Sequence, residues 1–388
     1  MIYLDNAAST KIHESVLDSM LPYLKEQYGN PSSIHRYGRL THKAIEKARK
    51  QIASLINAEP SEILITSGGT ESNNTALCGI AMKNPACKII TSLIEHDAIL
   101  EPCKKLSQNG FEIDYLPVDS FGMVDYLELE NHISEKTCLV SIMFGNNEVG
   151  TIQPISEIAK ICNEKKIIFH TDAVQAVGKI PIDVKKLGID LLSISSHKLY
   201  GPKGVGALYI KNGISIDPVI LGGGQENGLR SGTENVANIV GFGKACEIAK
   251  SYLDENMSHM KKLRDYMIKR VLSEIPEVTL NGNSESRLPN NAHFTFLGVN
   301  GEDLIIKLDE FGIAASTGSA CSVNTQKASH VLDAMGFSLE QITGSLRLTI
   351  GIFNDEQEID QTVEVLKKVV KELRSVSPFK EKYSFGLR

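Results

Sequence analysis

The sequence predicts an α/β protein, a mainly parallel sheet covered on both faces by helices, followed by a smaller α+β unit. Three observations predict it. Helical periodicity alternates with short apolar runs from about residue 36 to 210. Those runs are near-continuously apolar, as in strands buried on both faces. After about residue 233 the pattern changes to longer helices and shorter strands.

In chain order, Leu40, Ala44, Ala48, Ile52 and Leu55 recur at three- and four-residue steps and predict an amphipathic helix over 36–57. Strands are predicted at 62–66, 87–91, 138–142, 167–170, 190–194 and 206–210, with helices at 70–83, 97–108 and 155–165 between them. A long helical stretch follows from Thr233 to about Ser273. Strands at 277–280, 291–297 and 345–350 and helices at 302–311 and 355–375 complete the pattern. The organisation expected is a large domain over 15–250, a small domain from 1–14 and 251–376, and a mobile tail over 377–388.

Composition narrows the function classes. The chain has 388 residues, 42% hydrophobic and 23% charged, with 41 Lys+Arg against 47 Asp+Glu and a net charge of −6. That balance offers no electrostatic pull toward nucleic acid or an anionic membrane. No apolar stretch approaches the roughly 18 residues of a membrane span. The start of the chain lacks a secretory pattern, so a cytoplasmic protein with reduced thiols is expected. Seven cysteines are present, none at C-x-x-C or Cys/His zinc spacing, and no metal site is expected. Six of them lie in or beside predicted elements and read as small buried hydrophobes. Cys321 sits instead in a run of small residues, Ser316 to Ser322.

Three windows carry chemistry. Ser195-Ser196-His197-Lys198 follows an apolar strand and precedes a Gly/Pro-rich turn, which places a lysine at the strand end where open α/β sheets bind ligands. Such a lysine forms a Schiff base when its surroundings lower its pKa; the alternative is a solvated loop lysine. Asp172 ends another apolar strand, as an acid facing a pyridinium nitrogen or as a helix N-cap. Thr66-Ser67-Gly68-Gly69-Thr70 leads from a strand into a helix start, a phosphate cradle without the Gly-Lys-Ser/Thr of a P-loop.

Ten windows in order, spanning residues 3 to 351, resemble the NifS/IscS-type cysteine desulfurases, class-V aminotransferase relatives and fold-type-I pyridoxal phosphate (PLP) enzymes. They are residues 3–10, 29–35, 66–73, 95–96, 146–150, 170–175, 195–206, 230–233, 319–322 and 346–351. The resemblance implies a seven-stranded, mainly parallel sheet. It makes Lys198 the Schiff-base lysine, Asp172 the partner of the pyridine nitrogen and Gln175 the donor to the phenolic oxygen. His96 would stack on the ring and move protons. Gly69, Thr70, Ser195 and His197 would hold the phosphate, and Thr233 would reach the phosphate of the neighbouring subunit in a homodimer. Asn147 and Arg347, with Asn30, would grip the substrate carboxylate.

Read without the family, His96 is a core histidine, Arg347 a surface or interface ion pair, Thr233 a helix N-cap, and Tyr200 packing. The implied reaction removes the α-proton of L-cysteine with Lys198. The Cys321 thiolate then takes the sulfur as a persulfide, and L-alanine leaves. An iron–sulfur scaffold or another sulfur-acceptor protein is the implied partner. The alternatives are a selenocysteine lyase and a catalytically silent partner subunit. The twenty-four residues between Cys321 and Leu346 leave room for the family's long loop, although Lys327-Ala328 replaces the usual Glu-Pro.

Overall fold

The computed structural model describes residues 1–318 and 328–377. Its central sheet has seven strands. In spatial order they are Ile63–Thr66, Gly206–Ile210, Leu191–Ser195, Ile168–Asp172, Thr137–Ser141, Lys88–Ser92 and Glu112–Leu116. Only Gly206–Ile210 runs against the others. The carboxyl ends of the remaining six therefore open on one edge, where Thr66, Ser92, Ser141, Asp172 and Ser195 end their strands. Six of the seven strands are buried along their whole length or nearly so, which is why they read as continuous apolar runs. The edge strand Glu112–Leu116 is mostly half-exposed and alternates polar residues. For that reason it left no apolar run in the sequence.

Helices cover both faces. Arg36–Leu55 buries Ala44, Ile45, Ala48 and Ile52 toward the core formed with Ile63, Val140, Phe169 and Phe242. Gly243 of helix Val236–Ser251 lies so close to Ala48 that a Cβ there would stand 2.6 Å from the Ala48 Cα. The stretch expected as one long helix from Thr233 is two, Val236–Ser251 and Leu253–Glu274, parted at Tyr252 (φ −116°, ψ 19°). The two halves serve different cores. Phe242, Ala245 and Cys246 pack into the large core, whereas Met260, Leu263, Met267 and Val271 pack with Phe294, Leu346 and Val363.

That second core also takes in the N-terminus. Ile2–Tyr3 pairs parallel with Ile313–Ala314, and Asp5 bridges Thr349. Beside it lies the antiparallel sheet of Ser345–Thr349, Asn291–Phe296 and Val278–Leu280. The closing helix Glu356–Val376 starts on a capping box between Asp355 and Glu358. Helix Glu14–Lys25, masked in the sequence by Pro22 and a polar face, packs on Val236–Ser251. The tail expected over 377–388 lies outside the described residues from 378 onward.

One expectation is corrected. Cys87 and Cys138 are joined as a disulfide, with Cα atoms 5.8 Å apart, instead of remaining separate thiols. They are 51 positions apart, and only the parallel pairing of strands Lys88–Ser92 and Thr137–Ser141, with its register shift at Lys88/Ile89, brings them together. Cys78 is half-buried and Cys103, Cys162 and Cys246 are buried.

Candidate active site

The site lies at the carboxyl edge of the sheet. Lys198 stands three residues beyond the last residue of strand Leu191–Ser195, at the end of a 3-10 turn. Its Nζ donates to the main-chain oxygens of Ala7 (2.6 Å) and Ala8 (2.8 Å). It is thus held half-buried, and is not the solvated loop lysine of the alternative reading.

Asp172 is buried and closes the adjacent strand. Its Oδ2 accepts from Asn73 Nδ2 at 2.7 Å, and its Oδ1 from the Val174 N–H at 2.9 Å. Asn73 belongs to helix Gly69–Lys83, whose N-cap Gly68 (φ 154°) offers no side-chain cap to the first-turn amides. Gly69 and Thr70 therefore start the helix with their amides uncapped by a side chain, one strand end away from Ser195. Close packing shapes that turn. A Cβ on Gly69 would come 2.7 Å from Val174 Cγ2, and one on Gly206 would come 2.7 Å from the Gly68 Cα.

Several sequence-predicted residues converge on the segment Asp5 to Thr10. Gln175 Nε2 donates to the Ala7 oxygen at 2.9 Å, the oxygen that Lys198 also uses. His197 Nδ1 lies 3.2 Å from Ser9 Oγ, and the His197 carbonyl accepts from both Thr10 N–H and Oγ1. Burial, and then the charges of Lys198, Lys203 and Lys179, hold the His197 imidazole down to about 4, so it is neutral at physiological pH.

Arg347, 3% exposed, reaches across from strand Ser345–Thr349. Its Nη2 pairs with Asp5 Oδ1 at 2.9 Å, and its Nη1 donates to the oxygens of Asn147 (2.8 Å) and Gly318 (3.3 Å). Its Nε is buried without a hydrogen-bond partner. This is no surface ion pair but a buried fork with donor capacity left over.

His96 caps helix Asp97–Gln108. Its Nδ1 accepts the Ala98 N–H at 3.0 Å, which puts the proton of the neutral ring on Nε2. Asn147 is half-buried beside Glu148. Burial raises the Glu148 carboxyl above its usual range while its Oε2 takes a 2.6 Å bond from Ser329 Oγ. Ser329 and Gly318 flank the segment 319–327, and Cys321 lies outside the described residues.

Two expected residues stand apart from this cluster. Asn30 is exposed and turns its Oδ1 back onto the Ser32 N–H. Thr233 is exposed, and the N-cap of the helix after it is Asn235, not Thr233. Tyr200 packs edge-on against Phe353 at 5.7 Å, and its hydroxyl accepts the Ile352 N–H. Sequence reading gave no role to Asn73, Asp5 or Lys179, nor to the Ala7 and Ala8 carbonyls. Asp5, Ala7 and Ala8 fell inside a recognised window, but a main-chain acceptor has no signature in residue type.

An uncapped helix start beside Ser195 and His197, an anchored buried carboxylate, a strand-end lysine and a carboxylate fork together fit a phosphate-bearing pyridine aldehyde that takes amino acids. The family model for class-V aminotransferases matches residues 2–362. A cysteine desulfurase IscS from Dictyoglomus turgidum is 51% identical over 387 residues, covering 99% of this chain and 98% of that one. A solved NifS-like protein superposes with a TM-score of 0.90 at 41% identity, covering 96% of this chain and 99% of its own. A structure described as SspA in complex with cysteine has a TM-score of 0.82 at 36% identity, over 92% of this chain and 100% of that one. Fold and site thus define a fold-type-I enzyme of the class-V aminotransferase group, a PLP-dependent group. Within it, the chain belongs to the NifS/IscS-type cysteine desulfurases.

Proposed function

We propose that this chain takes sulfur from L-cysteine, releasing L-alanine and leaving a persulfide on Cys321. The observation that carries the reading is the convergence on one hexapeptide. Asp5 to Thr10 ties down Arg347, Gln175, Lys198 and His197, so a single segment sets the distance between carboxylate fork and reacting amine. PLP, when bound, supplies the carbonyl that takes up the substrate amine and a ring that withdraws electrons from the α-carbon.

The protein's residues do the rest. Arg347, with Asn147, orients the substrate carboxylate, and Asn30, exposed and turned onto Ser32, has no part in that grip within the single chain. The Gly69–Thr70 helix start, Ser195 and His197 hold the phosphate. Asp172, fixed by Asn73 and the Val174 amide, keeps its remaining lone pairs for the ring nitrogen. Lys198 Nζ takes the α-proton and His96 serves proton movement at the sulfur side. In the balance, the substrate C–S bond breaks and an S–S bond forms on Cys321. The Cys321 thiolate supplies the electron pair of the new S–S bond, and the pair of the broken C–S bond stays on the substrate β-carbon. That carbon takes the proton given up by the Cys321 thiol and becomes the methyl of L-alanine, while the substrate thiol proton stays on the persulfide. A homodimer in which Thr233 reaches the neighbouring site belongs to this reading, as does a protein that accepts the sulfur. Exposed Tyr28, Ile34, Tyr37 and Leu221 are apolar surface available to such contacts.

The test is an assay of purified protein with PLP, L-cysteine and a dithiol reductant, which reduces the persulfide and releases its outer sulfur. Alanine and sulfide should then appear in equal amounts from a species that sediments as a dimer. Cys321→Ala should keep the yellow colour and lose sulfide release, and borohydride should fix the cofactor to Lys198. Protein that takes up no PLP, or undiminished sulfide release by Cys321→Ala, would refute the reading.

A further inference from the structure

Lys179 is 2% exposed, yet no carboxylate forms an ion pair with it among the described residues. Its Nζ donates to the main-chain oxygen of Gln175 at 2.9 Å and reaches Gln175 Oε1 at 3.5 Å. A buried ammonium served only by neutral oxygens is expensive, and an apolar side chain of the same length would serve packing better. Burial, and then the charge of Lys198, hold its ammonium down to about 7. Some compensating role is therefore to be sought, and the hydrogen-bond chain shows where. From Lys179 the chain runs to Gln175 Oε1, from Gln175 Nε2 to the Ala7 oxygen, and that oxygen also receives Lys198 Nζ.

A carboxamide has two ends of the same shape and opposite polarity, and its neighbours decide which end faces where. Lys179, charged below about pH 7, makes one choice favourable: oxygen toward Lys179, NH2 toward Lys198. We infer that Lys179 is a positioning residue, which locks the Gln175 amide with its donor end facing the reacting lysine and sets a positive charge behind it. The inference rests on the proposed PLP chemistry, in which the Gln175 NH2 donates to the phenolic oxygen. Flipped, the amide would present oxygen to oxygen. The other charged or titratable groups of this region are Lys198, His197, Lys203 and Asp172.

The test uses PLP-loaded full-length protein and reads the pH midpoint of the visible absorbance band. A donor at the phenolic oxygen and a nearby cation both disfavour protonation of the Lys198–cofactor linkage. Lys179→Met should accordingly raise the midpoint by about one pH unit, the usual scale for losing one nearby charge. Gln175→Ala should raise it too, and the double variant should shift by less than the sum, because the lysine acts through the amide. Thermal unfolding of the cofactor-free Lys179→Met protein should be no lower than wild type, as for a buried charge replaced by an apolar isostere. An unchanged midpoint in a coloured, folded Lys179→Met protein overturns the inference, as does additivity of the two shifts. A marked loss of thermal stability in that variant assigns Lys179 to structure instead. Wild-type protein that stays colourless refutes the cofactor reading itself, a separate outcome.

Discussion

At the scale of single residues, the side chains of this site are held mostly by main-chain groups. Lys198 rests on two carbonyls, Asp172 takes an amide, and Arg347 donates to the oxygens of Asn147 and Gly318. Reactive groups were therefore legible in the sequence, as lysine and aspartate at predicted strand ends, while their holders were not. Arg347 gives the sharpest residue-level prediction. Its two Nη atoms are engaged and its Nε is buried without a partner, so an arriving carboxylate finds a preformed planar fork. Lysine keeps the charge and loses the fork. Arg347→Lys should raise KM for L-cysteine about tenfold, the equivalent of one charge-assisted hydrogen bond, while lowering kcat less. Steady-state kinetics decide it, and an unchanged KM would take the carboxylate away from Arg347.

At the scale of elements, the site depends on how closely two turns approach the sheet. Gly206 begins the antiparallel strand of the central sheet, and a side chain there would meet the Ile194 carbonyl at 2.5 Å and the Gly68 Cα at 2.7 Å. Both contacts are backbone, so neither can swing aside. Gly206→Val should cost about 1–3 kcal/mol of stability and push the Gly68–Thr70 turn out of place. A lowered Tm together with a weaker hold on PLP is the expected outcome; an unaltered Tm would mean that the turn yields freely. The strands themselves were foreseeable, because continuous burial leaves continuous apolar runs. The half-exposed edge strand Glu112–Leu116 and the break at Tyr252 were not. The first lacks the apolar run, and the second marks a change of core that leaves no gap in helical periodicity.

At the scale of the whole molecule, buried titratable groups set the response to pH. Burial lowers His170 and His293 to about 3, and His197 stands near 4, against an ordinary value near 6.5. Between those limits the unfolded chain binds protons that the folded one does not, so these groups withdraw stability as pH falls below about 6.5. Glu95 acts oppositely. Burial raises it to about 8, so the folded state holds a proton that the unfolded state has released, and this stability is lost as pH rises from about 4.5 to 8. Cofactor-free protein should melt lower at pH 5 than at pH 7. Glu95→Gln, which removes the opposing term, should steepen that decline. Calorimetry across this range tests both, and a Tm that rises on acidification would contradict the assignment of His170 and His293 as buried and neutral.

The sequence by itself determined the fold class, the strand-end placement of Lys198 and Asp172, and the family, since each is written in local periodicity and ordered windows. Tertiary structure alone decided that Asp5 to Thr10 fastens both halves of the site. It alone joined Cys87 to Cys138 and placed Lys179 behind Gln175. The physical reason is shared: those relations are made by strand register and backbone carbonyls across long sequence separations, and neither leaves a trace in the local choice of residues.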